Sequence, residues 1–136
     1  MPIVVNVVSQ GEYDEWLSGK QAEAAEIKEL MAQTFTLDEL MERGKSVYDR
    51  SCLACHGANG EGGLGNPIAN SAIATGALGE HLEIGINGVP GTAMQAFGGQ
   101  MNDVDMAAVI TYQRNAFGNN MGDMVQPIDV YNHKKG

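Results

Sequence analysis

The chain has 136 residues, enough for one ordinary domain with a modest extension and too few for two full cores. Apolar residues at 43%, charged residues at 18% and only two Cys exclude a disordered chain and a disulfide scaffold, and 18 Gly without a three-residue period exclude collagen. Seventeen acidic against eight basic side chains leave a net charge of −9, which argues against a nucleic-acid partner or an anionic membrane surface and favours a basic protein partner. The longest apolar run, residues 3–8, is far too short to cross a bilayer. Aromatic residues make up only 6%, thin for a core of this size, which points to something besides side chains filling part of it.

In chain order, Pro2 to Ser9 reads as a strand, because Ile3, Val4, Val5, Val7 and Val8 are β-branched. The same stretch lacks the basic start and long apolar run of a signal peptide, so the chain is either cytosolic or cut from something longer. From about Tyr13 to Gln33 the composition turns to Ala, Glu, Lys, Gln and Leu, which suits a helical or semi-rigid connector. Thr36-Leu37-Asp38-Glu39 has the form of a capping box, and a helix from Leu37 to about Cys52 follows, with Leu37, Leu40, Gly44, Val47 and Tyr48 on one face. Residues 57–99 are Gly-rich, with a short helix expected near Glu80–Ile86. A second strong helix starts after Asn102 or Asp103 and runs to about Phe117, stopping at Gly118. Two helices thus bracket an irregular middle that cannot build its own core, which is abnormal unless it wraps a ligand.

Both cysteines sit in Cys52-Leu53-Ala54-Cys55-His56, and C-x-x-C-H is the attachment signature of haem c. Two thiols three positions apart reach the two vinyl groups of one porphyrin, and His56 then lies under the ring with an imidazole nitrogen for the iron. A redox dithiol would need a βαβ context. A structural zinc would need four ligands, with only His81 and His133 left over. A disulfide across two intervening residues would constrain almost nothing. For a sixth ligand, Met94 stands out on the loop Gly91-Thr92-Ala93-Met94-Gln95-Ala96-Phe97-Gly98, ahead of Met101 and then His81, while Met106 reads as core filler. A His56/Met94 pair raises the potential, leaves no open position and suits electron transfer. The other ring nitrogen of His56 needs an acceptor. The backbone carbonyl of Pro67 is the candidate, a plain turn proline being the alternative.

From Thr36 to about Gly122 these features resemble a class I cytochrome c: a helix with Gly44 and Tyr48, then C-L-A-C-H-G-A-N-G, the loop methionine, and a helix with Tyr112. The resemblance implies an all-α fold in which the N- and C-terminal helices cross, with Gly44 against Tyr112, and loops wrap one covalent, low-spin haem c. The stretches G-T-A-M-Q-A-F-G, A-A-V-I-T-Y-Q-R-N-A-F-G-N-N and G-D-M-V-Q-P are similar to the C-terminal domain of subunit II of bacterial caa-type cytochrome c oxidases. M-P-I-V-V-N-V-V-S followed by E-Y-D-E-W resembles the last strand of that subunit's copper-binding domain, with Met1 where a copper-liganding methionine falls. The implied layout is residues 1–35 as strand remnant and linker, 36–125 as cytochrome domain and 126–136 as tail. The implied role is to take electrons from a soluble, basic cytochrome c and pass them to a dinuclear copper centre, on the periplasmic side of the membrane. The chain by itself would be a carrier and not an enzyme. Its membrane link would run only through the rest of the parent subunit, whose other copper ligands this sequence lacks; the Gly62–Asn70 loop is also shorter than usual for the family. The alternative is a free-standing periplasmic electron shuttle.

Overall fold

A computed structural model describes residues 3–136, which hold six helices and, among the described residues, no strand. The expected strand at Pro2–Ser9 is therefore corrected: residues 3–9 are irregular, and Ile3 and Val7 are more than nine-tenths exposed. β-Branched side chains favour extended backbone, but a strand forms only against a partner that takes up its backbone N–H and C=O groups. Met1 and Pro2 lie outside the described residues, and with them the expectation that Met1 ligates copper.

The chain divides into two compact units, Met1–Ala32 and Gln33–Gly136. In the first, α1 spans Gln10–Ala32 and buries no residue. It starts where Ser9 donates from its backbone N–H and hydroxyl to Glu12, at 2.8 and 2.7 Å. Those two bonds hold the Glu12 carboxyl below the usual range.

In the second unit, α2 (Leu37–Ser51) opens on the expected capping box of Thr36 and Glu39 and buries Leu40, Gly44, Val47 and Tyr48. The one-turn α3 (Leu53–His56) comes at once after it. Next come α4 (Leu78–Asn87) and α5 (Asp103–Asn115), the latter capped by Asn102, whose side chain accepts from the Asp105 N–H at 2.8 Å. The α5 helix buries eight of its thirteen residues, because α2, α4 and α6 (Pro127–Lys135) all pack against it. The segment expected as a tail, 126–136, is thus a helix whose Pro127, Val130 and Tyr131 are buried. Its start is written in Gln126-Pro127-Ile128-Asp129: the Asp129 carboxylate accepts from the Gln126 N–H at 2.8 Å, with proline at the first helical position. Each fully buried aliphatic side chain of this core, such as Leu40, Ile110 or Val130, contributes about 1.5–3 kcal/mol.

The α2–α5 crossing depends on a missing side chain. A Cβ on Gly44 would land on the Ala108 carbonyl and 2.6 Å from Tyr112 Cβ, so the two backbones touch. Beside it Tyr48, Tyr112 and Phe117 form a triangle with ring centroids 5.1–5.5 Å apart. Few aromatics suffice because three of the eight are spent at this one place.

Candidate haem c site

The α2 helix ends on the first cysteine: the Cys52 N–H closes the last turn on the Tyr48 carbonyl at 2.9 Å. Cys52 is 9% exposed and packs into the core, while Cys55, one turn on, is exposed. Burial, and then the neighbouring Cys55, push the Cys52 thiol up to about 11, so it is neutral at physiological pH. His56 ends α3. Its Nδ1 lies 2.7 Å from the carbonyl oxygen of Asn66. A carbonyl only accepts, so Nδ1 carries the proton and Nε2 keeps the lone pair that a metal needs.

That acceptor corrects the Pro67 expectation by one residue. The carbonyl that faces the ring is that of Asn66, in the peptide bond preceding Pro67 and not the one following it. Pro67 contributes its fixed ring, which limits how Asn66 and Ile68 can move. The loop is clipped to the motif at several points. Gly62 N–H donates to the His56 carbonyl and Gly65 N–H to the Cys55 carbonyl, both at 2.8 Å. The N–H groups of Ile68 and Ala69 converge on the Gly60 carbonyl at 2.8 and 2.9 Å. A Cβ on Gly65 would sit 2.8–3.2 Å from three atoms of the imidazole, so the loop backbone lies flat against the ring.

Met94 is half-buried and lies on the loop between α4 and α5. Its carbonyl accepts from Val89 N–H at 3.0 Å, and its own N–H donates to the Thr92 hydroxyl at 3.2 Å. Gly88, at φ +68°, lets the loop fold back, since a Cβ there would strike the backbone of residues 94–96. Met101 packs against the core cluster and Met106 is 1% exposed within it. His81, the third candidate ligand and expected at the surface or a helix end, is instead 5% exposed, and its Nε2–H donates to Gln113 Oε1 at 2.8 Å. Its phase with Leu82, Gly85 and Ile86 on α4 was the available signal. His133 pairs with Glu83 at 3.0 Å. Among the described residues no three side chains of His, Cys, Asp or Glu gather as a metal site.

The residues therefore fit haem c. Two sulfurs one turn apart, a histidine held in the tautomer that ligates, and a glycine leaving room for its ring form a coherent donor set. Sequence reasoning missed Asn119. It is 8% exposed, and its Nδ2 donates to the carbonyls of Ile68 (3.1 Å) and Gln113 (2.7 Å) while its Oδ1 accepts from Asn70 N–H (2.7 Å). Also unforeseen was Arg114, 3% exposed, which is ion-paired to Asp123 and donates to the Gly76 carbonyl at 2.9 Å. Among the described residues, no helix is long and apolar enough to cross a membrane.

Among known proteins, the gluconate 2-dehydrogenase cytochrome c subunit of Pantoea cypripedii is 33% identical over 108 residues, covering 69% of this chain and 24% of its own. The dihydro-haem d1 dehydrogenase of Pseudomonas aeruginosa is 32% identical over 69 residues, covering 51% of this chain and 14% of its own. Cytochrome c55X of Paracoccus denitrificans is 32% identical over 68 residues, 50% of this chain and 66% of its own. The chain thus spans a quarter or less of the first two relatives. A solved structure, dihydro-haem d1 dehydrogenase NirN in complex with DHE, superimposes with a TM-score of 0.50 at 31% identity, over 54% of this chain and 16% of that one. Residues 39–112 match the family described as Cytochrome C oxidase, cbb3-type, subunit III. With the C-x-x-C-H turn and the crossing of α2 and α5 inside that span, the chain belongs to this cytochrome c family, whose chemistry is electron transfer through covalent haem c.

Proposed function

We propose that this chain is the electron-entry domain of a terminal oxidase, taking electrons from a soluble cytochrome c and handing them to a dinuclear copper centre. The observation that carries the haem part of this reading is the His56–Asn66 hydrogen bond, which fixes Nε2 as the free ligand atom directly after the two thiols. Cys52 and Cys55 would hold the group as thioethers, and His56 and Met94 would be its axial ligands. Haem bound here supplies a one-electron couple. The chain's residues do the rest: Cys52 is buried against the core, the Gly65 backbone lies against the imidazole, and the Asn66 carbonyl orients that ring.

The oxidase assignment is supported by the resemblance of residues 91–98, 107–120 and 122–127 to the cytochrome domain of caa-type subunit II, and of the first sixteen residues to the end of its copper-binding domain. The net charge of −9 supports a basic donor, because opposite charge steers the encounter. The test is the electron-transfer rate from a basic cytochrome c across an ionic-strength series, paired with the codons upstream of Met1. Steering gives a rate that falls as salt shortens the Debye length below about 10 Å. Upstream codons for two cysteines and two histidines of a copper site are the expected result. A signal peptide there instead would assign the chain to the free-shuttle reading, which its coverage of 66% of the cytochrome c55X length favours.

A further inference from the structure

We propose that Asn119 is a positioning residue for His56, holding from the end of α5 the loop whose Asn66 carbonyl orients the imidazole. The inference rests on His56 being an axial ligand, as proposed above. Asn119 lies beyond α5, where Phe117 (φ 60°), Gly118 (φ 82°) and Asn120 (φ 47°) bend the chain around it. Its side chain ties the loop to α5: it donates to Ile68 O and to Gln113 O of α5, and accepts from Asn70 N–H. Ile68 is two residues from Asn66, and the residue between them is Pro67, whose φ is fixed. With that rotation removed, and the Ile68 N–H held on the Gly60 carbonyl, the short segment passes part of a shift at Ile68 on to the Asn66 carbonyl. Gly60 grips Ile68 and Ala69 from the motif side, and Asn119 supplies the grip from α5.

The chemical consequence comes through the Nδ1–H bond. A well-aligned acceptor makes the imidazole a stronger electron donor and favours ferric iron, so releasing the Asn66 carbonyl should raise the midpoint potential. The experiment compares haem-loaded wild type with Asn119→Ala, Asn119→Asp and Thr111→Val by redox titration, EPR of the ferric form and urea denaturation. Thr111 is the control: it is buried, and its hydroxyl accepts from Val125 N–H at 3.0 Å, away from the His56 loop. Expected are a positive potential shift and altered EPR g values in both Asn119 variants, with Asp losing the two donated bonds but keeping an acceptor for Asn70 N–H. Thr111→Val should lose stability with neither change. Lowered stability in Asn119→Ala at unchanged potential and g values would overturn the proposal, as would an equal potential shift in Thr111→Val. Should neither Asn119 variant yield holoprotein, hydrogen exchange in the wild type decides: the His56 Nδ1 proton and the Asn70 amide should share one opening rate, and unrelated rates would overturn it. A wild type without low-spin haem would instead sink the ligand reading itself.

Discussion

The His56 side and the Met94 side of the proposed site are built by different means. On the first, two backbone N–H groups, one glycine face and the Asn66 carbonyl converge on a short turn, and two further N–H groups close the loop on Gly60, so the His56 ring is held by directional bonds. On the second, Met94 has two local hydrogen bonds within residues 89–94 and a half-buried side chain. The difference teaches where the ordering free energy is spent. A histidine must be fixed in tautomer and plane to serve as a ligand, which needs directional bonds. A thioether is soft and flexible, and can be guided by packing alone. Both sides lean on α5, the first through α2 and Gly44, the second through α4 and the His81–Gln113 bond.

The largest effect belongs to the covalent anchor on the ordered side. Wild-type protein should keep its chromophore through acidified acetone and exceed the bare chain by the mass of one haem. Replacing both Cys52 and Cys55 by Ser should make it fully extractable. Clean extraction from the wild type would remove the basis of the comparison altogether.

On the other side, Met94→Ala should abolish the methionine–iron absorption band of the oxidised protein and lower the midpoint potential, because the thioether stabilises ferrous iron. Met101→Ala should do neither, since Met101 packs on the core. Loss of the band from the Met101 variant would mean that the wrong loop position has been assigned to the looser side.

Legibility in the sequence divides along the same line as the two sides. The crossing helices α2 and α5 could be read because their caps, Thr36 with Glu39 and Asn102, are local signals within three residues. The C-x-x-C-H turn was legible for the same reason. The Asn66 acceptor was missed by one position, because which backbone carbonyl next to a proline faces a ring is set by loop closure and not by residue type. Asn119 could not be read at all: its partners at Ile68 and Asn70 lie about fifty positions away, and an asparagine after a helix looks like any turn residue. The strand at residues 3–9 failed for the opposite reason, since β-propensity was present and a partner was not.

How firmly α2 carries the His56 side can be tested at Gly44. Gly44→Val should force the Ala108 backbone away and destabilise the domain by about 1–3 kcal/mol, read as a lower urea midpoint. A solvent-facing helix glycine would instead gain slightly from the substitution. Unchanged stability would therefore mean that α2 and α5 do not meet at this position.

The last effect is absent at neutral pH and appears only in acid, and it tests the α4 side. Burial pushes His81 from its ordinary 6.5 down to about 4; the Arg114 guanidinium also lowers it, and the Gln113 bond and the Asp123 carboxylate act in the other direction. The unfolded chain thus binds a proton at His81 between pH 6.5 and 4 that the folded chain refuses. Stability must rise with pH across that window, with no penalty above 6.5 and the full penalty, about 3 kcal/mol, only below 4. At pH 4.5 the loss relative to pH 7 should be roughly 2.5 kcal/mol smaller in His81→Gln than in wild type, measured by paired denaturation curves. Because α4 leads directly into the Met94 loop, the wild type should lose its methionine–iron band in this same acid window. The Cys52–His56 side, carried by α2, should keep haem in place throughout. Matching pH slopes in the two proteins would show that His81 is open to solvent, and that the α4 side is looser than its hydrogen bond to Gln113 requires.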